Sequence, residues 1–102
     1  MIFDDVINIL LIEDEEYDVR RIRRTLDPFK DRLIIKTIVA DGQSAIDILS
    51  KGPSHFDVII MDYQIVGSIS GEILIRRIKD IDPTLQIIVI TKMVNFKCLM
   101  MN

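Results

Sequence analysis

Four short apolar runs, separated by segments with helical spacing, constrain this chain more than any other feature of its sequence. The runs are 6–12, interrupted only by Asn8, then 33–39, 58–61 and 86–90. Each is bordered by charged or turn-forming residues, the pattern of strands buried on both faces. Between them Val19, Ile22 and Leu26, then Ala45, Ile46 and Leu49, then Leu74, Ile78 and Ile81 fall on successive turns of a helix. Stops for these helices stand at Asp27-Pro28, Gly52-Pro53 and Asp82-Pro83. Strands alternating with helices imply parallel pairing through right-handed crossovers. The predicted fold class is therefore α/β, a doubly wound parallel sheet. Lys36 and Thr37 break the second run, which suits a strand near the sheet's border.

A chain of 102 residues makes one domain, and at that length roughly two-thirds of the unfolded chain's surface can be buried. The expected division is a domain over 1–92 and an atypical C-terminal tail over 93–102, in which Phe96, Leu99, Met100 and Met101 could line a short helix. No fifth strand is expected. The fourth then has an unpaired edge, and that edge or the tail is the expected site of any self-association. Thirteen basic and sixteen acidic residues give a net charge of -3, which offers nucleic acid no electrostatic footprint. Cys98 is the only cysteine, so no intrachain disulfide forms and a reducing, cytoplasmic setting is expected. No stretch approaches the ~20 apolar residues of a membrane span.

Parallel strands present their carboxyl ends at one edge, and in open α/β sheets that edge binds ligands. The stretch 56–71 carries the third strand straight into Asp62. The first strand ends at Glu13 and Asp14, and the fourth at Thr91. An aspartate after an apolar strand is ordinarily a turn former or helix cap, and Thr91 alone could simply end a strand. Three carboxylates and a hydroxyl converging from distant parts of the chain are a different matter. Such carboxylates repel one another unless a cation intervenes. Mg²⁺ suits them, since it takes one or two carboxylates and keeps other positions for water and phosphate oxygens. A carboxylate beside it can attack phosphorus, and Thr91 could donate a hydrogen bond to the incoming oxygens.

Ile-Leu-Leu-Ile-Glu-Asp-Glu-Glu (9–16), Asp-Val-Ile-Ile-Met-Asp (57–62) and Ile-Ile-Val-Ile-Thr (87–91) together resemble the receiver domain of two-component response regulators. The resemblance spans about 7–92 and implies a flavodoxin-like topology. It implies that Asp62 accepts phosphate from the phosphohistidine of a histidine kinase or phosphotransfer protein. Asp14 would ligate Mg²⁺ directly together with Asp62, Glu13 would act through water, and the Gln64 carbonyl would complete the protein's share. Thr91 would be the switch hydroxyl. Enzymatic turnover is not implied beyond self-phosphorylation from small donors and self-dephosphorylation. The chain departs from the family at Val66, where a proline is usual, and at Lys92, where a small residue is usual. The loop to Gly71 is one residue longer than usual. The family's fifth strand and helix, with its lysine and switch aromatic, have no counterpart, which leaves Lys92 as the candidate substitute cation.

Three other functions compete. One is a receiver-like interaction module that takes no phosphate, and another is a Mg²⁺-dependent phosphohydrolase, although the Asp-x-Asp expected after the first strand of that class is missing. A flavodoxin-like cofactor binder is disfavoured by four carboxylates, 13–16, where a phosphate would sit. Arg20, Arg21, Arg23 and Arg24 read as a solvated helix face, which in receivers is also the face turned to the kinase. Glu15 and Glu16 read as first-turn acids, His55 as exposed, and Cys98 as an incidental thiol.

Overall fold

In a computed structural model of the chain, residues 5–52, 55–63, 70–90 and 98–101 are described. The elements run β1 (Ile7–Ile12), α1 (Glu16–Leu26), a 3₁₀ turn (Asp27–Phe29), β2 (Leu33–Val39), α2 (Gly42–Leu49), β3 (Val58–Asp62), α3 (Gly71–Ile81), β4 (Gln86–Ile90) and β5 (Cys98–Met101). They form one five-stranded sheet in the order β2-β1-β3-β4-β5. The first four strands are parallel, as the alternation of apolar runs requires. No helix among the described residues is long and apolar enough to cross a membrane.

Successive strand residues point to opposite faces, so the apolar runs divide into two clusters. Leu10, Ile12, Ile59, Met61, Ile87 and Val89 lie under α2 and α3 with Ala45, Ile46, Leu49, Leu74 and Ile78. On the opposite face Ile9, Leu11 and Ile60 are buried, with Val19, Ile22 and Leu26 of α1 packed against them. The predicted stripes of α1 and α2 therefore meet the sheet. The α3 stripe is shorter than expected. Leu74 and Ile78 are fully buried, but Ile81 at the helix end is 37% exposed.

Each helix carries its own start signal. Glu16 and Asp18 sit in the first turn of α1 and Arg23 and Arg24 in its last, the arrangement the macrodipole favours. Asp41 caps α2 by accepting the Ser44 N–H at 2.7 Å, and Ser70 accepts the Ile73 N–H to cap α3 at 3.4 Å. At the start of α2, a Cβ on Gly42 would lie 2.9 Å from Leu74 Cδ2. The two helices meet there because no side chain intervenes.

β2 occupies the border, as the polar interruption at Lys36 and Thr37 suggests. Ile9 pairs with Ile35 and Leu10 with Thr37, so Lys36 is an extra residue in the ladder. Such a bulge at an edge, carrying a charge, discourages further strand addition.

The other border differs from expectation. Four strands make up the parallel sheet, but the tail, for which no strand is legible in the sequence, adds β5. It pairs antiparallel to β4, from Ile87 with Met101 to Ile90 with Cys98. The β4 edge predicted to be bare is thus paired within the chain. A short apolar segment at the end of the chain carries too little periodicity to reveal this, and the unpaired N–H and C=O groups of β4 supply the template.

Candidate functional site

The order β2-β1-β3 reverses direction between β1 and β3, and at such a switch point the strand ends open a crevice for ligands. β1 pairs with β3 up to Ile12 and Met61. The next residues are Glu13 and Asp62, on strands about 4.8 Å apart. The Glu13 N–H donates to the Val39 carbonyl at 2.9 Å, which carries the extended backbone one residue past the end of β1. Leu11 and Ile60 both belong to the cluster beneath α1, so alternation turns Glu13 and Asp62 to that same side. Both carboxylates are buried, at 5% and 3% exposure. They are the two buried charged residues of the described chain.

The loop after β1 is tied to this site. The Glu15 N–H donates to Glu13 Oε2 at 3.2 Å, which leaves Asp14 on the outside of the turn, exposed. On the far side of β3, Asp62 pairs with Ile90, the residue before Thr91. The Tyr63 N–H donates to the Ile90 carbonyl at 2.9 Å, so the β3–β4 ladder also runs one residue past Asp62. Three strand ends from across the sequence are thereby held level.

The structure thus brings Glu13 and Asp62 side by side and places Asp14 at the adjoining surface. Gln64, Thr91 and Lys92 lie outside the described residues, as does Val66. Asp41, which follows β2, is accounted for as the cap of α2, and its hydrogen bonds from Ser44 hold its carboxyl below the usual carboxylate range. His55 is exposed, as expected, and so are Arg20, Arg21, Arg23 and Arg24. Arg20 and Arg21 lie 3.9 Å and 3.5 Å from Glu16 and Asp18 on their own helix.

Among the described residues no three acidic, histidine or cysteine side chains gather around one point. The convergence expected of Glu13, Asp14 and Asp62 is therefore a buried pair with an exposed neighbour, not a closed three-ligand cluster. Mg²⁺ needs no such cluster, because one or two carboxylates and several waters satisfy it. An all-oxygen donor set, with two buried acids on neighbouring strands and a third acid at the surface, fits that ion. Two buried carboxylates at the ends of neighbouring strands also favour a cation nearby.

Two residues at this edge have no signal in the sequence pattern. Tyr63, directly after Asp62, is 47% exposed, and its ring and carbonyl lie against the α carbon of Gly71. Neither periodicity nor motif spacing marks that contact, since it joins Tyr63, just past the end of β3, to the start of α3, eight positions further along the chain.

The family profile described as the response regulator receiver domain matches residues 9–99. The isolated receiver domain of RcsB from Salmonella enterica serovar Typhimurium, in the presence of phosphomimetic BeF3⁻, is similar at 27% identity. The match covers 88% of this chain and 64% of that one, with a TM-score of 0.76. A structure of the Salmonella typhimurium RcsB response regulator concerned with DNA interaction matches at 26% identity. It covers 90% of this chain and 45% of that one, with a TM-score of 0.77. An RcsB–DNA complex matches at 28% identity over 84% of this chain and 42% of that one, with a TM-score of 0.71. The chain thus spans less than two-thirds of each of these relatives. No curated protein matches it.

Proposed function

The chain belongs to the response regulator receiver family, and from that premise we propose that it is a phosphoacceptor whose Asp62 takes a phosphoryl group from a histidine kinase or phosphotransfer protein. The observation that carries the reading is the buried Glu13–Asp62 pair at the switch point of the sheet, level with the end of β4. A carboxylate oxygen of Asp62 forms a bond to phosphorus. The P–N bond of the phosphohistidine breaks, and its electron pair returns to the imidazole. Asp62 and Asp14 would hold Mg²⁺, with Glu13 acting through water and the Gln64 carbonyl as a further ligand. When bound, the ion neutralises charge on the transferring group.

The protein's own part is to position. The paired backbones of β1, β3 and β4 fix Asp62 in the crevice, and burial strips water from its carboxylate. Glu13, engaged with the Glu15 N–H, adds negative charge that draws a divalent ion to this spot. Thr91, next to the partner of Asp62 in the chain, is assigned the switch hydroxyl. Lys92 is assigned the substitute cation. A cytoplasmic setting belongs to the same proposal and is supported by the family and by the lone cysteine.

A second reading is favoured by one observation. β5 runs antiparallel to β4, where the resemblance calls for a parallel strand bearing a lysine. A receiver whose sheet ends in an antiparallel strand could bind partners and take no phosphate. Acetyl phosphate with Mg²⁺, followed by intact mass measurement, decides between the two. The phosphoacceptor reading expects one added phosphoryl group, absent in Asp62→Asn. An unmodified wild-type chain would leave the interaction module standing.

A further inference from the structure

We infer that Tyr63 is a positioning residue for the phosphoacceptor, seated on the bare α carbon of Gly71 so that the start of α3 holds the end of β3 in place. The inference deepens the proposed function and rests on Asp62 being the reacting group.

Tyr63 is engaged on three sides. Its chain neighbour is Asp62. Its N–H donates to the carbonyl of Ile90 at 2.9 Å, which locks it to the last residue of β4. Its carbonyl and ring face Gly71, the first residue of α3. A Cβ built on Gly71 would stand 3.3 Å from the Tyr63 carbonyl oxygen and 3.4 Å from ring carbons Cδ1 and Cε1. Both distances are at or inside ordinary van der Waals contact, so the helix approaches this closely because residue 71 has no side chain. Helix α3 is in turn anchored to the core by Leu74 and Ile78, both fully buried, and its first turn is capped by Ser70. The helix start cannot drift away from Tyr63 without disturbing those contacts.

The consequence is a short mechanical path to the reacting carboxylate. A methyl group at residue 71 meets the Tyr63 carbonyl, which is backbone and yields less readily than a side chain. Tyr63 and Asp62 then shift together by a few tenths of an ångström. A misplacement of about 1 Å can cost about a hundredfold in rate, so a shift of this size predicts a loss of about five- to tenfold. Removing the ring frees the same segment from the other side. The hydroxyl has no part in this, and a phenyl ring would do as well.

The test is the phosphorylation rate of the full chain from acetyl phosphate with Mg²⁺, as a function of donor concentration. Gly71→Ala and Tyr63→Ala are each expected to lower the saturating rate about five- to tenfold, with the KM for acetyl phosphate unchanged. Tyr63→Phe keeps the rate within about twofold, and the Tyr63→Ala/Gly71→Ala double variant is no slower than the slower single variant. Tyr63 is half exposed, so Tyr63→Ala and Tyr63→Phe carry the test alone should Gly71→Ala fail to fold. The chain has two tyrosines and no tryptophan, so Tyr17→Phe makes Tyr63 the sole emitter. Its emission should change on adding Mg²⁺ and acetyl phosphate. Wild-type saturating rates in Tyr63→Ala, or a change confined to KM, overturn the positioning role while leaving Asp62 as acceptor. A wild-type chain that takes no phosphoryl group overturns both.

Discussion

Helices α2 and α3 meet where Leu74 covers Gly42, and that contact allows a double-mutant cycle whose sign is fixed in advance. Leu74 is fully buried. Truncating it to alanine loses transfer free energy and leaves a cavity, a cost of about 2–5 kcal/mol, with about 3 as the central value. Gly42→Ala puts a methyl 2.9 Å from Leu74 Cδ2 and 3.1 Å from Cδ1. The leucine tip can give way partly, so overpacking costs about 1 kcal/mol, the low end of its range. In the Leu74→Ala background the same methyl enters the vacated space and restores about 0.8 kcal/mol for one buried carbon. The helix-propensity gain of alanine over glycine enters both backgrounds and cancels, so Gly42→Ala should be less favourable in the wild type than in Leu74→Ala by about 2 kcal/mol. Urea unfolding followed by circular dichroism measures all four corners. With slopes of about 1–3 kcal/mol/M, the coupling amounts to a midpoint shift of about 1 M. Effects that add to within about 0.5 kcal/mol would refute the packing of α2 on α3.

Lys79 closes the turn between α3 and β4 by donating to the carbonyls of Pro83 and Leu85. Lys79→Met should cost about 1–2 kcal/mol in the same urea assay, because the part-buried Leu85 carbonyl loses a charged donor. Acid should also probe the turns. Hydrogen bonds from Ser44 lower the Asp41 carboxyl, and those from Thr84 lower that of Asp82. A group lowered in the folded state contributes stability that is fully present above its unfolded pKa, about 3.9, and is lost as pH falls through the folded value. Wild-type stability should therefore decline below about pH 4, and Asp41→Asn with Asp82→Asn should flatten that decline. An unchanged slope in the double variant would show that these caps do not govern it.

Much of the parallel sheet could be read directly from the chain. The apolar runs ending at Ile12, Met61 and Ile90 are short, bordered by polar residues and separated by helical stripes, and few folds bury such runs other than as parallel strands. The position of Asp62 at the sheet's edge is legible for the same reason, because the last residue of a doubly buried strand falls where crevices form. The sequence stripe of α3 runs past the buried face at Ile81, since periodicity continues to the last turn of a helix whether or not anything covers it. β5 is not legible, because four residues, Cys98–Met101, hold too little pattern to choose between strand, helix and loose tail.

Local preferences are written in the chain: which residues must leave water, where helices begin at Asp41 and Ser70, and which carboxylates end strands. Packing sets the relations between distant segments. It made Glu13 the buried neighbour of Asp62 and left Asp14 outside, it turned the tail back along β4, and it set Tyr63 on Gly71. Hydrophobicity and periodicity are properties of one segment and are written locally. Register, adjacency and van der Waals approach exist only between segments, so they become definite when strands 1, 3 and 4 pair and the helices close over them.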